Sequence, residues 1–251
     1  MDELFEIVHE DADLLVIRKP AGLVCHPTKS DARSSLVGRL RLYAGRKGMG
    51  DADDGNVKFH LVNRLDRETS GLVVVARQDA AAGELRRLWE NREVYKEYLA
   101  VVHGEVPGQE GVIEAPLGRD LASEVAVKDC VRPDGAPAVT AFRVVRRFSR
   151  PEGRFTLLRV MPRTGRKHQI RIHLAHAGHP VVGDKIYGGD ERLYLDFVRG
   201  LLKEEQRRRL MLPNQALHAA RLQFAWRGRN WCFEAEPEVW FVEFAGGQVS
   251  G

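Results

Sequence analysis

The strand-forming runs of this 251-residue chain outnumber the helical ones and often follow one another without a helix between them. Parallel neighbours need a crossover of a dozen or more residues, whereas antiparallel neighbours need only a turn. This succession therefore constrains the fold more than any other feature. Leu14 to Arg18 is an apolar run closed by Lys19-Pro20 and Ala21-Gly22. Gly71 to Ala76 is β-branched and continuously apolar, which predicts a buried strand. Tyr95 to His103 alternates. Thr140 to Val145 and Phe155 to Met161 read as partners around a turn at Pro151-Glu152-Gly153, and Leu217 to Phe224 and Asn230 to Glu236 as closing strands.

Helical spacing marks Ser34 to Tyr43, a segment from Asp79 as cap to about Asn91, and His168 to Ala177. It also marks Glu191 to Leu212, interrupted at Gly200, and a short helix after Pro237. Gly104 to Gly135 reads as irregular, with short strand candidates. The order predicts an α+β fold with a central mixed, largely antiparallel sheet and flanking helices. No repeat, low-complexity tail or linker composition interrupts it, so residues 1–251 are expected to form a single domain.

Composition narrows the function class. A hydrophobic fraction of 43% supplies a sizeable core, and a net charge of +4 is compatible with an anionic partner. The three cysteines, Cys25, Cys130 and Cys232, are far apart and form no Cys-x-x-Cys pair, which argues against a disulfide framework and a thiolate zinc site. The N-terminus is acidic and no run approaches the roughly 18 apolar residues of a membrane helix. A reducing, cytoplasmic setting is expected. The stretch from Gly45 to Gly55, with Asp51, Asp53 and Asp54, reads as a solvated loop rather than a cation site.

Four segments carry chemistry. In Asn63-Arg64-Leu65-Asp66-Arg67, two arginines flank an aspartate just before an apolar strand. Their charge favours the ionised carboxylate, so Asp66 fits a nucleophile or general base. Taken alone, it fits an N-cap or a surface ion pair as well. From Arg159 to His173 run four arginines, one lysine and two histidines with no acidic residue. Such a block beside a glycine turn suits phosphate contact, and equally a solvated basic face. Arg171, between Ile170 and Ile172, is expected away from open solvent, where it needs an anionic partner. His168, His173, His176 and His179 lack nearby cysteine and are sparse in acidic neighbours, so hydrogen bonding or nucleic-acid contact is preferred to a metal site. Tyr98, on a predicted strand, fits cross-strand packing or stacking on a base.

In combination these segments resemble the RluA-type pseudouridine synthase family. Arg64-Leu65-Asp66 with Thr69-Ser70-Gly71 is similar to its catalytic motif, and Lys96-x-Tyr98-x-Ala100 to its second. Thr164-Gly165-Arg166-x-His168-Gln169-Ile170-Arg171 is similar to the third, continued by His176-x-Gly178-His179-Pro180, Gly183-Asp184 and Tyr187-Gly188. Lys19-Pro20-x-Gly22-Leu23 and Leu217-His218-Ala219 fit as well. Five matches in the correct order reverse the structural reading of Asp66. One departure is Asn63, where the family commonly has His.

The resemblance implies isomerisation of uridine to pseudouridine in ribosomal or transfer RNA, with no cofactor and no metal. It implies Asp66 as the essential catalyst, attacking C1′ or abstracting a ribose proton. Arg171 would pair with the Asp66 carboxylate, and Tyr98 would pack on the uracil and assist loss of the C5 proton. Arg64, Arg166, His168 and Leu217 are the expected substrate contacts. A monomer is expected, without a separate N-terminal RNA-binding domain. A non-catalytic RNA-binding protein of the same fold and a metal-dependent nuclease built on the histidines are the competing classes.

Overall fold

The computed structural model describes residues 4–27, 32–47 and 59–247. The acidic cluster Asp51, Asp53 and Asp54 lies outside the described residues. The chain divides into two compact units.

The first unit comprises Met1–Lys96 and Ala219–Glu238. Its elements are β1 (Glu6–Glu10), β2 (Leu14–Lys19), α1 (Leu36–Arg46), β3 (His60–Leu61), β4 (Ser70–Ala76) and α2 (Asp79–Glu90). Most of β11 (Leu217–Trp226) and all of β12 (Arg229–Glu234) complete it. The strand order is β1-β2-β4-β11, with β3 on β4 and β12 on β11. The β1/β2, β2/β4, β3/β4 and β11/β12 pairs are all antiparallel.

Every residue of β4 is buried, as its unbroken apolar run predicts. One face of the sheet presents Leu14, Val16, Leu72 and Val74 to Ala81, Ala82 and Leu85 of α2. Leu88 and Trp89 close the edge of that cluster. Helix α1 starts where the Ser35 hydroxyl accepts from Gly38 N at 3.1 Å, and it buries Leu36, Leu40, Tyr43 and Ala44. The cap of α2 is Gln78 rather than Asp79, which occupies the first helical position. The carboxylate keeps its place at the positive end of the helix while the backbone bends one residue earlier.

The second unit comprises Glu97–His218 and Val239–Gly251. Most of β5 (Tyr95–His103), with β6 (Glu110–Glu114), β9 (Val139–Arg150) and β10 (Gly153–Pro162), lies here, in the order β5-β10-β9-β6. Strands β7 (Leu117–Arg119) and β8 (Asp129–Val131) form a separate hairpin. These short strands are what the stretch from Gly104 to Gly135 contains. The β9/β10 hairpin turns through Pro151 and Glu152, and its strands run longer than the apolar alternation marks.

Helices α3 (Gln169–His176), α4 (Arg192–Arg199), α5 (Glu204–Leu210) and α6 (Val239–Phe244) follow. Gly200, at φ 74°, separates α4 from α5. Arg146 and Arg150 of β9 donate to carbonyls at and beyond the end of α6, among them Ala245 O and, at 3.2 Å, Phe244 O. The strand thereby satisfies carbonyls that a helix end leaves unpaired. No described helix is long and apolar enough to cross a membrane.

Candidate active site

The segment 62–69 connects β3 to β4 and carries Asp66 half-buried between the exposed Arg64 and Arg67. Several tethers hold this segment in place. Asn63 Oδ1 accepts from Val74 N at 2.8 Å and its Nδ2 donates to Leu72 O at 3.2 Å, so the side chain substitutes for a ladder strand beside β4. Cys25 Sγ donates to Leu65 O at 3.4 Å. Thr69 N donates to Asp66 O at 3.2 Å, closing a turn around the aspartate. Arg67 O accepts from Gly22 N at 2.8 Å and from Lys19 Nζ at 3.2 Å.

Lys19 is fully buried, and its ammonium also donates to Pro20 O and Leu23 O at 2.9 and 2.8 Å. Burial lowers its pKa to about 8, against the opposing pull of Cys25 and Asp66. A lysine thus joins the loop ahead of α1 to the loop that carries Asp66. Gly71 follows at φ 113°, where a Cβ would stand 2.3 Å from Ala219 O. Only glycine admits that approach of β11 backbone to the start of β4.

In the second unit, Tyr98 is half-buried on β5 opposite Val160 of β10. Its neighbour Glu97 is buried and pairs with Arg159 at 2.5 Å. The turn before α3 is a hydrogen-bonded knot. Gln169 Oε1 accepts from Thr164 Oγ1 at 2.7 Å and Arg166 N at 3.0 Å, and its Nε2 donates to Val139 O and Thr140 Oγ1 at 3.0 and 2.9 Å. His168 stands at φ 54° as the residue before the helix, its Nδ1 2.9 Å from the Tyr187 hydroxyl.

Residues 169–174 of α3 are all buried, so Arg171 is hidden because the helix is enclosed, not because apolar neighbours alternate with it. Each polar side chain of this stretch has a partner, as burial requires. His173 lies 2.8 Å from Thr140 Oγ1 and 3.0 Å from Ala115 O, and burial lowers its pKa. Arg171 donates from Nε and Nη2 to Asp184 at 2.6 and 2.9 Å. Burial works to raise the Asp184 carboxyl, but the Arg171 charge and hydrogen bonds hold it below the usual carboxylate range.

The basic block between Arg159 and Arg171 is thus partly neutralised from within. Arg159 meets Glu97, Lys167 meets Asp129 at 3.0 Å, and Arg171 meets Asp184. Arg163 and Arg166 are the exposed arginines of the block, and Arg166 Nε donates to Pro137 O at 3.3 Å. His168, His173 and His179 also spend a ring nitrogen on protein partners, His179 Nδ1 lying 3.0 Å from His103 O. Leu217 is buried at the start of β11.

Of the predicted site residues, Asp66 and Arg64 belong to the first unit. Tyr98, Arg166, His168, Arg171 and Leu217 belong to the second. Sequence reasoning missed Lys19, Cys25 and Asn63 as supports of the Asp66 loop. It quoted Asp184 without giving it to Arg171, although Asp184 is the first acidic residue after Glu152.

A loop aspartate braced by buried tethers and a buried arginine oriented by a carboxylate are marks of a preorganised enzyme site. The family model described as RNA pseudouridylate synthase matches residues 13–176, and the chain belongs to that family. The chain is 37% identical over 220 residues to an RNA pseudouridine synthase of Bacillus subtilis, YlyB, covering 87% of this chain and 64% of the relative. It is 34% identical to the ribosomal large subunit pseudouridine synthase D of Zymomonas mobilis, covering 92% of this chain and 68% of that one. The chain therefore spans somewhat less than two thirds of the B. subtilis relative, and 56% of a Chloroflexus aurantiacus one. The human RNA pseudouridylate synthase domain containing 4 has the same fold, at TM-score 0.72 and 26% identity, over 94% of this chain and 90% of that structure. These likenesses bear out the α+β pseudouridine synthase fold expected from the sequence.

Proposed function

We propose that this protein isomerises specific uridines of ribosomal or transfer RNA to pseudouridine. The bond from ribose C1′ to uracil N1 breaks, the uracil turns, and C1′ rejoins at C5. The C5 proton is lost and N1 ends protonated, so no group is imported and no redox change occurs. Asp66 is the essential catalyst, Arg171 the guanidinium that steadies its carboxylate, and Tyr98 the ring that packs on the uracil. Arg64, Arg166, His168 and Leu217 contact the substrate. The target nucleotide has to leave its stack to reach such a site, and the cost of unstacking it is lowest in single-stranded loops. The protein acts in the cytoplasm, as a monomer and without cofactor or metal.

The observation that carries this reading is the catalytic motif itself. Arg64-Leu65-Asp66 sits within the matched family region, on a loop whose backbone is tied by Lys19, Cys25 and Asn63. Free cysteines throughout and a basic surface at Arg163 and Arg166 agree with a reducing compartment and a polyanionic partner. Pseudouridine mapping of total RNA from cells with and without the protein tests it. The expected result is loss of modification at one or a few defined positions. An unchanged map would contradict the proposal.

A further inference from the structure

A guanidinium that acts on a carboxylate has to be held in plane, and Arg171 is held from two directions by one short turn. Its Nε and Nη2 donate to the two oxygens of Asp184, at 2.6 and 2.9 Å, which fixes the plane of the fork. The Tyr187 ring packs against its face, with the guanidinium carbon 5.0 Å from the ring centroid. The side chains of Arg171 and Asp184 are 5% and 0% exposed, so neither contact is loosened by water.

The turn is itself immobilised. Asp184 Oδ1 also accepts from Ile186 N and Tyr187 N, at 2.9 and 3.0 Å. The Tyr187 hydroxyl lies 2.9 Å from His168 Nδ1 and accepts from Asp129 N at 3.2 Å. Lys167 reaches the Asp129 carboxylate at 3.0 Å. A Cβ at Gly183 would lie 2.4 Å from Asn214 O, and one at Gly188 2.4 Å from Asp184 O, so backbone packs against both ends. A buried ion pair is stable only when its remaining hydrogen-bonding groups are satisfied, and the two amides do this for Asp184. The Tyr187 ring satisfies no such group, and what it adds is a fixed plane for the remaining N–H groups of Arg171.

We propose that the 184–187 turn is a clamp that orients Arg171, with Asp184 and Tyr187 as positioning residues for the isomerisation. The inference rests on the function proposed above for the part Arg171 plays. Asp184 spends two of the five guanidinium N–H donors and directs the other three away from itself. Tyr187 prevents the plane from tilting.

The test is steady-state tritium release from RNA labelled at uracil C5, with rates scaled to the folded fraction measured by circular dichroism. Asp184→Asn keeps the shape and can still accept from the two amides, but loses the charge and turns an NH2 toward the arginine. It should lower kcat about 100-fold with KM for RNA within about threefold, since a catalytic group displaced by an ångström costs that much. Tyr187→Leu, which removes the ring, should lower kcat about tenfold with the same unchanged KM. If Asp184→Asn does not fold, Tyr187→Leu decides. A folded variant with wild-type kcat would overturn the clamp, because a purely structural pair affects only how much protein is folded. A raised KM at unchanged kcat would overturn it too, by moving the turn's role to RNA binding. Wild-type protein that releases no tritium would instead overturn the parent reading, and the clamp with it.

Discussion

Lys19 places a charge where no water reaches it, and the consequence is measurable. Its folded pKa of about 8 lies below the ordinary lysine value of 10.5, so between those values the unfolded chain binds the proton that the folded chain has lost. Stability from this group therefore rises as pH climbs from about 8 to about 10.5, by roughly 3 kcal/mol across the window. Lys19→Met should remove that slope and lower stability at neutral pH, because three carbonyls lose their donor. Urea unfolding of both proteins from pH 7 to 10.5 measures the difference, and equal slopes would refute the assignment. Arg171 gives the complementary case. Arg171→Ala leaves the Asp184 carboxylate buried without its cation, which should cost about 3–5 kcal/mol and abolish turnover. Chemical denaturation with a parallel activity assay checks both, and normal turnover would refute the role given to Arg171. The flanking isoleucines suggest a partner for Arg171, although its burial comes from the enclosure of the whole helix. The sequence does not show that Asp184 is that partner, since that pairing is made by the fold. The inward turn of Lys19 is equally hidden, because one carbonyl it binds lies 48 positions away.

Among the elements, β4 was the most legible and is the least tolerant. Its run from Gly71 to Ala76 reads as a buried strand because nothing polar interrupts it, and each residue is buried. The close approach at Gly71 follows from the neighbouring strand, which local sequence does not encode. Gly71→Ala should destabilise by at least about 2 kcal/mol, because the clash is with Ala219 backbone and φ is 113°. Thermal unfolding tests this, and an unchanged midpoint would show that the two strands can part freely. Helix α3 teaches the opposite lesson. Its position is legible to within a residue at each end, yet its burial on all sides is a property of what surrounds it. Asn63 is a further limit. Its side chain completes the pairing of β4 where the family commonly has His, and that substitution of amide for backbone arises only once the chain has folded.

At the scale of the whole molecule, the mild basic excess matters less than its distribution. Ion pairs with Glu97, Asp129 and Asp184 take up Arg159, Lys167 and Arg171, leaving Arg163 and Arg166 as the exposed arginines of that block. RNA binding should weaken steeply with salt, and Arg163→Ala with Arg166→Ala should reduce the slope of log affinity against log salt by about one per residue. Filter binding across a salt series measures this, and an unaltered slope would place the phosphate contacts elsewhere. Activity should survive EDTA, because His168, His173 and His179 already hydrogen-bond within the protein. Complete loss restored by metal would favour a nuclease. The order of five motifs made family and fold legible in the sequence, whereas the bracing of the loops that carry them depends on residues brought together only by folding.

The central claim is that Asp66 performs the chemistry, and Asp66→Asn tests it most directly. Asn has nearly the shape of Asp but is a poor nucleophile and a poor base. The Asp66 backbone contact to Thr69 does not involve the side chain, and Arg163 and Arg166 are untouched. The variant should therefore fold and bind RNA as the wild type does while releasing no tritium from RNA labelled at uracil C5. Release at the wild-type rate would place the catalyst elsewhere and contradict the account.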